Sequence, residues 1–173
     1  MTDDFDRVRI YGDPVLRKST EAVTDFNSEL RDFVEHMADT MFKNNGIGLS
    51  APQVGVTRKI IVIDLSFGEK VDDYLALINP EIFEQEGECA IEEGCLSVPG
   101  IYEEVVRPEK IRVRYLDAVG TEHEVGADGL LARIIQHEVD HLEGILFVDR
   151  ISTVKRSLLA KTLKTMAEDG IKA

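Results

Sequence analysis

The chain has 173 residues, of which 43% are hydrophobic and 31% charged, and a formal net charge of −13. That length suits one domain with a sizeable core, and the composition is that of a globular protein. The charge disfavours non-specific binding to DNA, RNA or an anionic membrane, and no apolar run approaches the ~20 residues of a membrane helix.

The opening residues, Met1-Thr2-Asp3-Asp4-Phe5-Asp6, are acidic and carry no apolar signal core; a mature form already stripped of a targeting segment looks the same. Residues 28–43 place Leu30, Phe33, Val34, Met37 and Met41 at three- and four-residue steps, which predicts an amphipathic helix. Asn27 or Ser28 can cap it, and Asn44-Asn45-Gly46 stops it. Residues 58–65 (RKIIVIDL) predict a buried strand. A second strand runs over 75–78 and is closed by Asn79-Pro80, and 81–88 is expected to pair with its neighbours. Residues 110–116 alternate Ile111, Val113 and Tyr115 with Arg112 and Arg114, a half-buried strand. Asp128 can cap a helix from about Gly129 to Glu143, with Gly144 as its stop. A last helix spans 152–168, with Val154, Leu158, Leu159, Leu163 and Met166 on one side. No repeat, low-complexity tract or long linker interrupts the chain, so 1–173 reads as a single domain. Helix, several strands, helix, helix is an α+β order: mixed or antiparallel strands around a central helix, flanked by N- and C-terminal helices.

That central helix carries His137-Glu138-Val139-Asp140-His141. Residues four apart share a helix face about one turn (~6 Å) from each other, so both imidazoles can grip one metal ion. Glu138 can reach a water on that metal, which is the H-E-x-x-H logic of a metal-assisted hydrolase. Each of these residues taken alone is an ordinary surface residue of an amphipathic helix. A third ligand is needed. Cys95 in Glu93-Gly94-Cys95-Leu96-Ser97 is one candidate, a soft donor for zinc or ferrous iron. A downstream carboxylate, Glu168 or Asp169, is the other and would suit a zinc endopeptidase. The cysteine count is two, too few for a disulfide scaffold, and fits a reducing cytosol. Gly46-Ile47-Gly48-Leu49-Ser50-Ala51-Pro52-Gln53-Val54-Gly55 is half of a phosphate loop at best, since no strand precedes it and a third glycine is missing. It reads better as a glycine strand that admits a substrate backbone, followed by an amide donor.

GIGLSAPQ at 46–53, EGCLS at 93–97 and QHEVDH at 136–141, in this order and spacing, resemble the three motifs of the peptide deformylase family over nearly the whole chain. Ser50 departs from the family's paired small residues and is itself small. The resemblance implies Cys95, His137 and His141 as metal ligands and Glu138 as general base and acid. It implies Gln53 and the backbone N–H of Leu96 at the oxyanion, and Gly46, Ile47, Gly48, Glu93 and Gly94 along the substrate. It implies ferrous iron, replaceable by zinc, nickel or cobalt. The reaction is removal of the formyl group from N-formyl-methionyl nascent peptides, with release of formate. Leu130 and Ile134, seven and three residues before His137, share its face and can line a methionine slot; equally they can be plain core. Arg133 can reach the rim of that slot or solvent. Cys89, His36 and His123 have no motif around them and read as non-catalytic. The C-terminal stretch has Lys155, Arg156, Lys161, Lys164 and Lys172 against Glu168 and Asp169, a solvated basic face or a ribosome-docking helix. A bacterial-type cytoplasmic enzyme is expected; a mature organellar form fits as well.

Overall fold

Residues 5–69 and 73–172 are described by the structure, a computed structural model; the acidic residues 1–4 lie outside it, as does the side chain of Lys172. Helix α1 spans Ser28–Lys43, where the spacing puts it. Asn27 Oδ1 accepts the Leu30 N–H at 3.0 Å, and Leu30, Val34, Met37 and Met41 form its buried stripe. Strands β1 (Gly48–Ser50), β2 (Ile60–Asp64) and β3 (Tyr74–Glu86) follow, then β4 (Cys89–Cys95), β5 (Val98–Arg107), β6 (Lys110–Leu116) and β7 (Glu122–Asp128). Helix α2 is Gly129–Leu142 and helix α3 Thr153–Lys172. One antiparallel sheet has the order β1-β2-β3-β6-β7; β4 and β5 form a separate antiparallel ribbon.

Strand β2 explains the layering. All five of its residues are buried. Ile60 and Val62 face the core under α1, while Ile61 and Ile63 face the core under α2. A strand covered on both faces has no reason to alternate apolar with polar residues, hence the continuous IIVID run. A third cluster joins Val98, Ile101 and Val105 of β5 to Phe147, Val148 and Leu163, so the ribbon packs toward α3.

Four expectations need correction. The strand at 75–78 does not stop at Asn79-Pro80: β3 continues to Glu86 and the register with β6 shifts there. Pro80 has no N–H for the ladder, and Asn79 takes a left-handed φ of 51°, so the pair makes a bulge rather than an end. Asn79 also bonds the Val23 backbone twice, accepting its N–H at 2.8 Å and donating to its carbonyl at 2.9 Å. Asp128 occupies the cap position of α2 but makes no side-chain cap hydrogen bond. The helix closes at Leu142, with Glu143 as cap and Gly144 at φ 72°. Helix α3 runs on to Lys172, and only Leu159, Leu163 and Met166 of its apolar residues pack on the third cluster. Val154 and Leu158 stand 71% and 79% exposed. Finally, the ribbon β4–β5 and strand β7 were invisible as periodic patterns. Among the described residues no helix is long and apolar enough to cross a membrane.

Candidate metal centre

Helix α2 has little polar surface in its second half. His137, Glu138, Asp140 and His141 are all buried there. The two imidazoles stack edge to face, with Nε2 atoms 3.2 Å apart. The end of β4 brings Cys95 Sγ to 3.4 Å from His141 Nε2. These three ligand atoms lie within 4.8 Å of one another, and they are the one such group of three found among the described residues. Glu168 and Asp169, on exposed parts of α3, are not part of it. A tetrahedral ion with bonds of about 2.0–2.1 Å to nitrogen and ~2.3 Å to sulfur holds such atoms roughly 3.3–3.6 Å apart, so the spacing fits a metal of that kind. The electrostatics fit as well. Burial works against charge on both rings, yet hydrogen bonds to Cys95 and Glu93 hold His137 well above the usual histidine value. Burial and the facing His137 push His141 well below it. One thiol and two imidazoles with their ligand atoms turned toward one another form a donor set for a borderline-soft divalent cation.

The outer nitrogen of His137 has a support, whereas the buried Nδ1 of His141 has no hydrogen-bond partner. Glu93 Oε1 lies 3.2 Å from His137 Nδ1, which fixes that ring with Nε2 inward. Arg107 holds Glu93 through Nε, at 3.1 and 3.0 Å to its two oxygens. Burial raises the Glu93 carboxyl, but His137 and Arg107 outweigh it and keep its pKa below the ordinary value. The same guanidinium reaches Asp140 Oδ2 at 2.7 Å, and Arg150 holds Asp140 from the other side. Glu93 therefore has its carboxylate committed to His137 and Arg107, a placement the sequence reading, which put it along the substrate, did not foresee. Arg107 was missed altogether, because nothing around it in the sequence is unusual. Asp140 sat inside the pentapeptide, but spacing alone gave it no task.

Glu138 is 3% exposed and its Oε2 has no hydrogen-bond partner. Burial pushes its carboxyl up to about 7. A methyl placed on Gly48 would come 2.6 Å from Glu138 Oε1 and 2.9 Å from Ile134 Cγ2, so glycine is required by close approach and not by backbone angle. Ile47 gives its carbonyl to the Asp64 N–H at 3.0 Å. Antiparallel alternation then turns the N–H and C=O of Gly48 away from β2, toward the free edge of the sheet. Gln53 is buried in the turn after β1. Its Oε1 accepts from the Ser50 N–H at 2.9 Å and the Ser50 hydroxyl at 3.0 Å. That orients its Nε2 to Ser97 Oγ at 3.1 Å and to Cys95 Sγ at 3.5 Å. Ser50 is thus more than a small residue; it aims the amide.

A cavity of about 450 Å³ opens over this group. Gly46, Ile47, Gly48, Gln53, Glu93, Gly94, Cys95, Leu96, Leu130, Ile134, His137 and Glu138 all line it. Ile134 is buried at its wall and Leu130 is 43% exposed at its rim. Tyr102, also unanticipated, covers Gly94, where a methyl would meet its ring at 2.5 Å. Arg133 is buried, not solvent-exposed. Cys89, His36 and His123 stay away from the cavity; His123 pairs with Asp117 at 2.8 Å.

Comparison with known proteins agrees with this site. The family model described as polypeptide deformylase matches residues 5–157. The chain is 49% identical over 160 residues to a peptide deformylase of Acidobacterium capsulatum, covering 92% of this chain and 94% of that one. It is 46% identical over 162 residues to one from Thermotoga petrophila, covering 93% and 96%. Among solved structures it superposes on a peptide deformylase from Plasmodium falciparum with a TM-score of 0.90 at 39% identity, covering 94% and 96% of the two chains. One from Legionella pneumophila gives 0.85 at 40%, covering 96% and 98%. With the family model spanning most of its length and a relative near half identical, the chain belongs to the peptide deformylase family, metal-dependent hydrolases that remove the N-formyl group from nascent polypeptides.

Proposed function

We propose that Cys95, His137 and His141 hold one ferrous ion, that Glu138 moves the protons, and that Gln53 with the Leu96 backbone N–H receives the oxyanion. The observation that carries this reading is the convergence of one sulfur and two ring nitrogens beside a buried, unpartnered carboxylate. A bound divalent ion supplies Lewis acidity and lowers the pKa of water from 15.7 toward ~7. Glu138 takes the proton of the attacking water and passes it to the departing amine, so one carboxylate serves both halves of the reaction. The Gln53 amide nitrogen donates to Ser97 Oγ and is directed at Cys95 Sγ, which places it beside the point where the former formyl oxygen would gather charge. Losing such a donor typically costs ~3–4 kcal/mol of barrier. A thiolate tempers the Lewis acidity of its metal. This favours a cation that changes coordination readily, and iron fits, with zinc, nickel or cobalt as substitutes.

The formylated chain pairs in strand fashion with Gly48 at the free edge of β1, with Gly46 and Ile47 beside it. Its methionine side chain enters the part of the cavity lined by Leu130 and Ile134, and Gly94 lines the same cavity. An acetyl group adds a methyl where Gly48, Glu138 and Gln53 crowd the centre, so formyl is selected by size. Leu158, Val154, Lys161 and Lys164 on α3 form the face that docks on the ribosome. Two cysteines left free among so few suit a reducing compartment such as a bacterial cytosol.

The direct test is Glu138→Gln, assayed on a formyl-methionyl tripeptide with metal analysis of anaerobically purified protein. The variant should keep its metal and lose formate release by several orders of magnitude. Full activity would remove Glu138 from the mechanism.

A further inference from the structure

The thiol and the imidazoles come from two elements that share no sheet. Cys95 ends β4 of the isolated ribbon, whereas His137 and His141 belong to α2. A two-stranded ribbon is marginal on its own, so its docking to the helix decides where the sulfur sits. Arg133 spans that junction. It is buried on α2, one turn before His137. Its Nη1 donates to the Val105 carbonyl of β5 at 2.8 Å and its Nη2 to the Cys89 carbonyl of β4 at 2.6 Å. One planar fork thus grips both strands. It lies beside the Ala90–Val106 pair, whose side chains are exposed. Glu93, the ribbon residue that steadies His137, has Oε2 3.6 Å from Arg133 Nη1.

We propose that Arg133 is a positioning residue that locks the ribbon onto α2 and so sets the approach of Cys95 and Glu93 to the histidine pair. This rests on the reading of Cys95, His137 and His141 as ligands. Methionine at 133 keeps an unbranched stem but has no fork. Lysine keeps the charge but presents one nitrogen where arginine presents two, so it does not reproduce the planar fork that spans the two carbonyls.

The test uses cobalt-loaded full-length protein, read by the thiolate-to-cobalt charge-transfer band and by the metal dissociation constant from chelator competition. Arg133→Met and Arg133→Lys should each bind cobalt at least ~10-fold more weakly, with a weakened band, as loss of a ligand's outer support does. Val34→Ala, which thins the core under α1, should unfold more easily yet bind cobalt as the wild type does. Wild-type affinity and band in both Arg133 variants would overturn the proposal, as would a loss in Val34→Ala equal to theirs. If Arg133→Met fails to fold, Arg133→Lys gives the reading by itself. A wild type without any charge-transfer band would instead refute Cys95 as a ligand, a failure of the underlying site and not of the clamp.

Discussion

At position 138 a carboxyl is buried without a partner, an arrangement that costs free energy whenever the group is ionised. Its folded pKa of about 7 lies above its ordinary 4.5. The stability it contributes is therefore complete below pH 4.5 and is lost as the pH climbs through 7, because the folded state holds the proton that the unfolded state gives up. In metal-stripped protein this amounts to roughly 3 kcal/mol, an order-of-magnitude figure. Glutamine at 138 stays neutral at every pH. Urea unfolding of metal-free protein should thus show wild type falling between pH 4.5 and 7.5 relative to Glu138→Gln. Parallel curves for the two proteins would mean that Glu138 ionises freely in the fold. The His137–Glu138–His141 spacing was legible because helix periodicity ties sequence distance to a face. The supports were not. Arg107, Arg133 and Ser50 matter through partners 33, 44 and 3 residues away, and only the last lies within reach of a local pattern.

At the scale of elements, α1, β2, β6 and α2 were readable from their patterns, and the ribbon was not. Its strands set Glu92 opposite Glu104 and Glu93 opposite Glu103. Like charges facing each other disfavour a sheet, and β5 also contains Pro99 and Gly100, so neither propensity nor alternation announces a strand. What overrides them lies elsewhere in the chain: Arg107 and Arg133 neutralise Glu93, and Lys155 of α3 reaches Glu103 at 3.0 Å. The bulge in β3 misled for the opposite reason, since Asn-Pro is a strong local stop signal and only the two bonds to Val23 turn it into a kink. Asn79→Ala removes both bonds and places a β-carbon residue without a helpful side chain at positive φ. Denaturant unfolding should show a loss of about 2–4 kcal/mol, with kcat on a formyl-methionyl tripeptide nearly unchanged because Asn79 does not line the cavity over the metal centre. A stability loss under about 0.5 kcal/mol would show that the Val23 bonds are replaced without cost.

On the scale of the whole molecule, the sheet is sealed by α1 on one face and α2 on the other, while α3 is attached by one thin edge. That edge is Leu159, Leu163 and Met166 against the third cluster, with a methyl at Gly12 only 2.5 Å from Ala167 Cα. Sequence counting made the remaining surface of α3 basic. The structure engages two of its five basic residues: Lys155 pairs with Glu103, and Arg156 is bound to the Val148 carbonyl and Asp149. Lys161 and Lys164 stay exposed, beside the apolar Val154 and Leu158. If this face docks on the ribosome, two lysines can release few counterions, so the salt slope of binding should be no steeper than about −2. Burial of Leu158 and Val154 should then supply more of the affinity than charge does. Cosedimentation with ribosomes at increasing salt tests this. Leu158→Ser should weaken binding more than Lys161→Ala, and both should release formate from a free tripeptide at the wild-type rate. Binding that ignores both substitutions would move the docking face off α3, and a slope far steeper than −2 would return the interaction to nucleic-acid phosphate and to residues beyond these two lysines.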